Sequence, residues 1–221
     1  MNSTLHKVLK FFRTKASNKH VSEIPNVGRN DLPRLFKYLD CKIGVEIGTA
    51  EGEFAEIICK ANPQLKLYTI DPFEPYEDFR ELPYTPVFPR FEKTARERLS
   101  KYNCVVVKDY SMNAVKNFKD NSIDFVYIDG NHAFPFVVND IFEWSKKVKV
   151  GGIISGDDYV RTKRQLENTH HVIQAVDGYV RAYKIRPWFL LGLTAKIPGL
   201  KRDTSRSWFW VKEEDKPNLR T

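Results

Sequence analysis

Four ionisable residues stand where two apolar runs stop. Ile123 to Ile128 ends on Asp129, and His132 follows after Gly130-Asn131; Ile153-Ile154 runs through Ser155-Gly156 onto Asp157 and Asp158. Between the runs, Phe134 to Val148 has helical spacing, and Gly151-Gly152 turns the chain back. Such a strand–helix–strand unit carries three carboxylates and an imidazole to the carboxyl edge of two neighbouring parallel strands. Open α/β sheets bind their ligands at that edge. Clustered carboxylates raise each other's pKa unless a cation lies among them. The group therefore suits a hard divalent ion with oxygen ligands, with His132 as a base beside it. Plainer readings exist for each residue: Asp129 as a strand end, His132 as a turn residue, Asp157-Asp158 as a helix N-cap signal. His170-His171 look like a metal pair, but adjacent positions on a helix face different ways, so they read as structural or surface residues.

The elements around this unit alternate. From Lys42 the expectation is strand Ile43–Ile47, helix Glu53–Ala61, strand Leu65–Ile70, helix Arg90–Lys101 and strand Cys104–Lys108, then a short helix over Asn113–Phe118. That alternation predicts a parallel sheet with helical crossovers. Beyond the unit, His171–Tyr183 has helical spacing, while Pro187–Leu193 and the alternating Ser207–Lys212 read as strands. The last of these follows a turn at Pro198-Gly199 and is expected to run antiparallel. The predicted fold is α/β and Rossmann-like: a seven-stranded, mostly parallel sheet with an antiparallel last strand and helices on both faces. Residues 1–40 read as an N-terminal helical extension and 41–215 as the main domain. Within the extension, residues 1–20 form an amphipathic basic helix, expected to pack on the domain; the alternatives are a membrane surface or a second copy of the chain. Asn30-Asp31 are expected to cap a helix over LPRLFKYL. Phe73–Pro89 combines prolines and aromatics just after a strand, which suggests a lid over the site.

The first strand leads into Glu46-x-Gly48-x-x-x-Gly52, and the second ends on Asp71. Glycines there allow a tight turn and close approach to a ligand, and an acid at the end of the second strand is placed to accept ribose hydroxyls. The spacing is not the G-x-G-x-x-G of dinucleotide binders. At 221 residues and 42% hydrophobic content, one domain with its own core is expected. No apolar run approaches the roughly 18–20 residues of a membrane span, and no signal peptide is visible, so a cytoplasmic location is expected. Cys41, Cys59 and Cys104 are read as reduced thiols. The net charge of +8 admits nucleic acid as a partner, but no RNA-binding signature or zinc finger accompanies it.

Together VEIGTAEGEFA, IDPF, KDYSMNA, FVYIDGNHAF and KVKVGGIISGDDY resemble a class I S-adenosylmethionine-dependent methyltransferase. The resemblance is to the small-molecule O-methyltransferases related to catechol O-methyltransferase and the macrolide-sugar methyltransferases, over roughly Lys42–Tyr183, with Ser207–Lys212 matching the last strand. It implies S-adenosylmethionine as cofactor. Glu46, Gly48, Thr49 and Gly52 would shape its methionine and ribose end, Asp71 would hold the ribose diol, and Asp109, Tyr110 and Ser111 would border the adenine. It also implies Mg²⁺ on Asp129, Asp157 and Asp158, with His132 as the catalytic base and Asp129 in a catalytic and a cofactor-binding role besides. The end of the fifth strand departs from the Gly-His-Asp-Tyr of many relatives, reading Gly156-Asp157-Asp158-Tyr159. The leading expectation is a Mg²⁺-assisted O-methyltransferase acting on a sugar, a glycan or another small hydroxylated metabolite. A nucleic-acid methyltransferase and a cofactor-binding protein without catalysis are the alternatives.

Overall fold

The computed structural model describes residues 3–17, 21–75, 87–160, 170–192 and 205–213. Its strands are β1 (Ser22–Ile24), β2 (Ile43–Ile47), β3 (Lys66–Asp71), β4 (Cys104–Lys108), β5 (Ile123–Ile128), β6 (Val148–Gly156), β7 (Phe189–Leu191) and β8 (Trp208–Val211). They form one sheet in the order β1-β7-β8-β6-β5-β2-β3-β4. Strand β8 runs antiparallel to β6 and β7, and every other pairing is parallel. The expected mixed sheet with an antiparallel last strand is therefore present, with one strand more than the sequence suggests. That strand is β1, whose three residues are too few to display an alternating pattern; it pairs with β7 from Ser22 to Ile24.

Alternation divides the side chains between two faces. In β5, Phe125 and Tyr127 enter one core cluster while Val126 and Ile128 enter the other. In β8, Trp208 and Trp210 face one side and Phe209 and Val211 the other, the period of two of an extended strand buried on both faces. On one face lie α6 (Phe134–Lys147) and α7 (Val172–Ala182), contributing Val137, Ile141 and Trp144, and Val172, Ala175 and Val176. On the other lie α1 (Ser3–Phe11), α2 (Leu32–Tyr38) and α3 (Glu53–Ala61), with Leu5 and Val8, Leu35 and Phe36, and Ile58 and Cys59. Gly44 in β2 matters to this layer, because an added Cβ would lie 2.1 Å from the Phe125 ring. Without it, Phe125 stacks on Phe36 at 3.7 Å between ring centroids.

Helix α4 (Val87–Leu99) opens three residues before the expected start, and Pro89 falls in its first turn, where the ring breaks no helical bond. Most of the stretch expected to form a lid, residues 76–86, lies outside the described residues. Asp31 does not cap α2; its carboxylate accepts the Gly28 N–H at 3.1 Å and stabilises the preceding 3₁₀ turn. The three cysteines are free thiols. Among the described residues, no helix is long and apolar enough to cross a membrane.

Candidate active site

Strand order reverses between β2, which leads outward to β3 and β4, and β5, which leads the other way to β6. A crevice at the carboxyl ends of these two strands follows from that reversal. The turn after β2 forms one wall. Gly48 has φ +92°, and a Cβ there would lie 1.9 Å from the carbonyl oxygen of Asp129; its N–H donates to the Ile70 carbonyl. Gly52, at φ +75°, then opens α3. Asp71 fastens the turn: Oδ2 accepts the N–H groups of Thr49 and Ala50, each at 3.0 Å, and Oδ1 that of Phe73 at 2.8 Å. Burial raises its pKa against the pull of those donors. Glu46 lies beneath, 2% exposed, accepting from the Thr69 hydroxyl, which in turn contacts the Thr49 hydroxyl. Desolvation pushes the Glu46 carboxyl up to about 8.

Between β4 and α5 (Ser111–Ala114), one oxygen of Asp109 accepts the Tyr110 N–H at 2.8 Å and the Asn113 side-chain amide at 3.2 Å. Ser111 turns elsewhere: it donates to Asp140 and accepts from Trp144 Nε1 inside the α6 packing. Burial raises Asp140 to about 7.

The other wall holds the acids and the histidine. Nε2 of His132 lies 3.5 Å from Asp129 Oδ1 and 3.2 Å from Asp158 Oδ2. Nε2 of His170 lies 4.0 Å from the same Asp158 oxygen, with the two imidazole centroids 5.0 Å apart. Asp157 points away from this group. One of its oxygens faces the Arg29 guanidinium at 3.1 Å, and the other accepts from the Ser207 hydroxyl at 2.9 Å. The same Arg29 nitrogen is 3.5 Å from Asp129 Oδ2, and the guanidinium lies over the Phe54 ring. Burial, then the neighbouring charges of Asp129 and Asp158, raise Asp157 to about 7 despite Arg29. Burial also raises Asp129, opposed by its contact with His132.

Residues 45–159, just over half of the chain, match a family model described as a methyltransferase domain. The chain belongs to that methyltransferase family. No curated protein matches it. Among solved structures it is similar to the O-methyltransferase from Bacillus cereus, at 20% identity and a TM-score of 0.57 over 96% of this chain and 92% of that one. It is likewise similar to the O-methyltransferase TomG from Streptomyces achromogenes, at 16% identity and a TM-score of 0.58 over 96% and 91%. At these identities the likeness is one of fold.

Within the methyltransferase fold, the residues singled out in the sequence divide into four groups, of which Asp109 and Tyr110 stand apart at the end of β4. Glu46, Gly48, Thr49, Gly52 and Asp71 converge on the β2 turn, and Asp129, His132 and Asp158 converge on the facing wall. Asp157 and Ser111 are engaged in the protein's own packing. Two residues not assigned to the site from the sequence belong to it. His170 carried a signal, the metal-like pair with His171, set aside because adjacent helical positions face different ways; His170 is 3% exposed and meets Asp158. Arg29 had none, since nothing in the local sequence ties it to a carboxylate more than a hundred residues away.

Proposed function

We propose that the chain is an S-adenosylmethionine-dependent O-methyltransferase acting on a hydroxyl of a small acceptor, a sugar or another hydroxylated metabolite, with His132 as the base. The observation that carries the reading is the His132 imidazole between two carboxylates at the sheet edge, 3.2 and 3.5 Å away, facing a turn with no room for a side chain at Gly48. The neighbours support the cofactor: the Bacillus structure is described in complex with S-adenosylhomocysteine and the Streptomyces structure with S-adenosylmethionine. The residues fit such a group, since Gly48 lets the β2 turn close against the Asp129 backbone at the sheet edge and Glu46 offers a buried carboxyl beneath that turn. Glu46, Gly48, Thr49 and Gly52 would hold its methionine and ribose end, Asp71 the diol, and Asp109 and Tyr110 the adenine side.

When bound, S-adenosylmethionine supplies a sulfonium methyl open to in-line displacement. The chain's task is alignment and proton removal. A neutral alcohol is a poor nucleophile, and an imidazole accepts its proton near neutral pH. Asp129 and Asp158 stabilise the imidazolium that forms, because opposite charges within about 4–6 Å favour the charged state. Mg²⁺ on Asp129, Asp157 and Asp158 does not fit this donor set. Arg29 already stands between Asp129 and Asp157, and Ser207 takes the second oxygen of Asp157. The guanidinium already supplies a positive charge between those two carboxylates and offsets part of their repulsion, which still leaves Asp157 raised to about 7.

The test is methyl transfer from labelled S-adenosylmethionine to a panel of sugars and phenols. His132→Ala should lower turnover by about 10²-fold or more, with S-adenosylhomocysteine affinity by calorimetry unchanged. Unaltered turnover in that variant would remove His132 as the base. A wild-type chain that does not bind S-adenosylhomocysteine would sink the whole reading.

A further inference from the structure

The structure assigns a site for a first-row transition cation, with zinc as the type ion, to His132, Asp158 and His170, at the nitrogen that the proposed base uses. The three residues come from different elements: His132 from the loop between β5 and α6, Asp158 from the residues after β6, and His170 from the approach to α7. Each offers one ligand atom, and all three atoms lie within 4.8 Å of one another. Tetrahedral zinc with bonds of about 2.0–2.1 Å holds its ligand atoms about 3.3 Å apart. Asp158 and His132 already stand at 3.2 Å, and Asp158 and His170 at 4.0 Å. Closing the set needs less movement than a change of side-chain rotamer. The backbone prepares it, because the His171 N–H donates to the His132 carbonyl at 2.8 Å and ties the two histidine-bearing segments together.

The donor types select the ion. Two imidazoles and one carboxylate suit Zn²⁺, Fe²⁺, Co²⁺ or Ni²⁺, whereas Mg²⁺ and Ca²⁺ prefer oxygen alone. Three protein ligands leave a fourth position for water. Asp129 Oδ1, 3.5 Å from His132 Nε2, adds a second negative charge beside the ion. Since a bound ion takes the Nε2 lone pair, it excludes proton transfer to that atom. Occupancy of the site therefore inhibits methyl transfer, and a chelator relieves the inhibition. Only this inhibition rests on the reading of His132 as the base; the site itself does not.

The test uses the full chain without a histidine tag, and Co²⁺ as the probe. Wild type should bind one equivalent with the visible absorption of a tetrahedral nitrogen–oxygen site, displaced by Zn²⁺ and not by Mg²⁺. His170→Ala and the near-isosteric Asp158→Asn should each weaken Co²⁺ at least tenfold, while His171→Ala, one residue along, should bind as wild type does. Absent absorption in wild type, or equal affinity in all four proteins, overturns the site. Where methyl transfer is measurable, Zn²⁺ should inhibit wild type, and at least tenfold more should be needed in His170→Ala relative to that variant's own metal-free rate. Activation by Zn²⁺ would overturn the competition with the base. Failure to bind S-adenosylhomocysteine, with Co²⁺ still bound, would refute the methyltransferase reading and leave the metal site standing.

Discussion

Glu46 carries the largest consequence of burial for a single carboxyl at the cofactor side. Desolvation raises it from 4.5 to about 8, only partly offset by the Thr69 hydroxyl. Between those values the folded chain holds a proton that the unfolded chain has released. Stability therefore falls as pH rises through that window. The raised values of Asp157 and Asp140, both about 7, act in the same direction. Glu46→Gln keeps an acceptor for Thr69 and carries no charge, so it should flatten the decline and gain on the order of a few kcal/mol over wild type above pH 8. Urea unfolding midpoints of the two proteins across the window would check this. Parallel decline in both would exclude Glu46 as its source. Arg29 illustrates the converse effect. Its guanidinium keeps Asp129 and Asp157 close enough to share one cation, a contact that links residue 29 to the ends of β5 and β6.

The turn between β2 and α3 is the element on which the cofactor reading depends. Its geometry leaves room for nothing larger than hydrogen at Gly48, both because φ is +92° and because the Asp129 carbonyl closes the space a Cβ would enter. Gly48→Ala should therefore abolish S-adenosylhomocysteine binding measured by calorimetry and lower thermal stability. Gly178 in α7 provides the contrast: nothing lies within 4 Å of a Cβ placed there. Gly178→Ala should raise stability by about 0.5–1 kcal/mol, the helix-propensity difference, with cofactor affinity unchanged. Equal behaviour of the two variants would mean that the turn is not specified by close approach.

At the scale of the molecule, the N-terminal segment shares a core with the sheet. Leu5 and Val8 of α1 are buried with Phe209 and Val211 of β8, and the Phe12 ring lies 5.8 Å from that of Phe209. β1 adds backbone pairing to β7. Helix α1 should accordingly unfold with the whole and not before it. Leu5→Ala should lower global stability by about 2–3 kcal/mol, as for a buried leucine, in a single transition followed by both circular dichroism and tryptophan fluorescence. A separate early loss of helix, with the main transition unmoved, would show α1 to be an independent appendage.

Local pattern was enough to reveal every strand of the sheet but β1. Ile43–Ile47, Cys104–Lys108 and Ile123–Ile128 each stand as strands with the bounds that their apolar runs define, and Glu53–Ala61 as the helix its spacing describes. Periodicity reports burial, and burial is what forms these elements. The acids at the strand ends were legible for the same reason, because the end of an apolar run marks the sheet edge. What no run marks is the direction in which an edge residue turns. Asp157 and Asp158 are neighbours in sequence, yet alternation and a left-handed φ of +58° at Asp158 send one to Arg29 and Ser207 and the other to His132 and His170. Those partners lie far along the chain and carry no periodic signal. The identity of the acids was thus written in the sequence, while their division between packing and chemistry was decided only when the chain closed on itself.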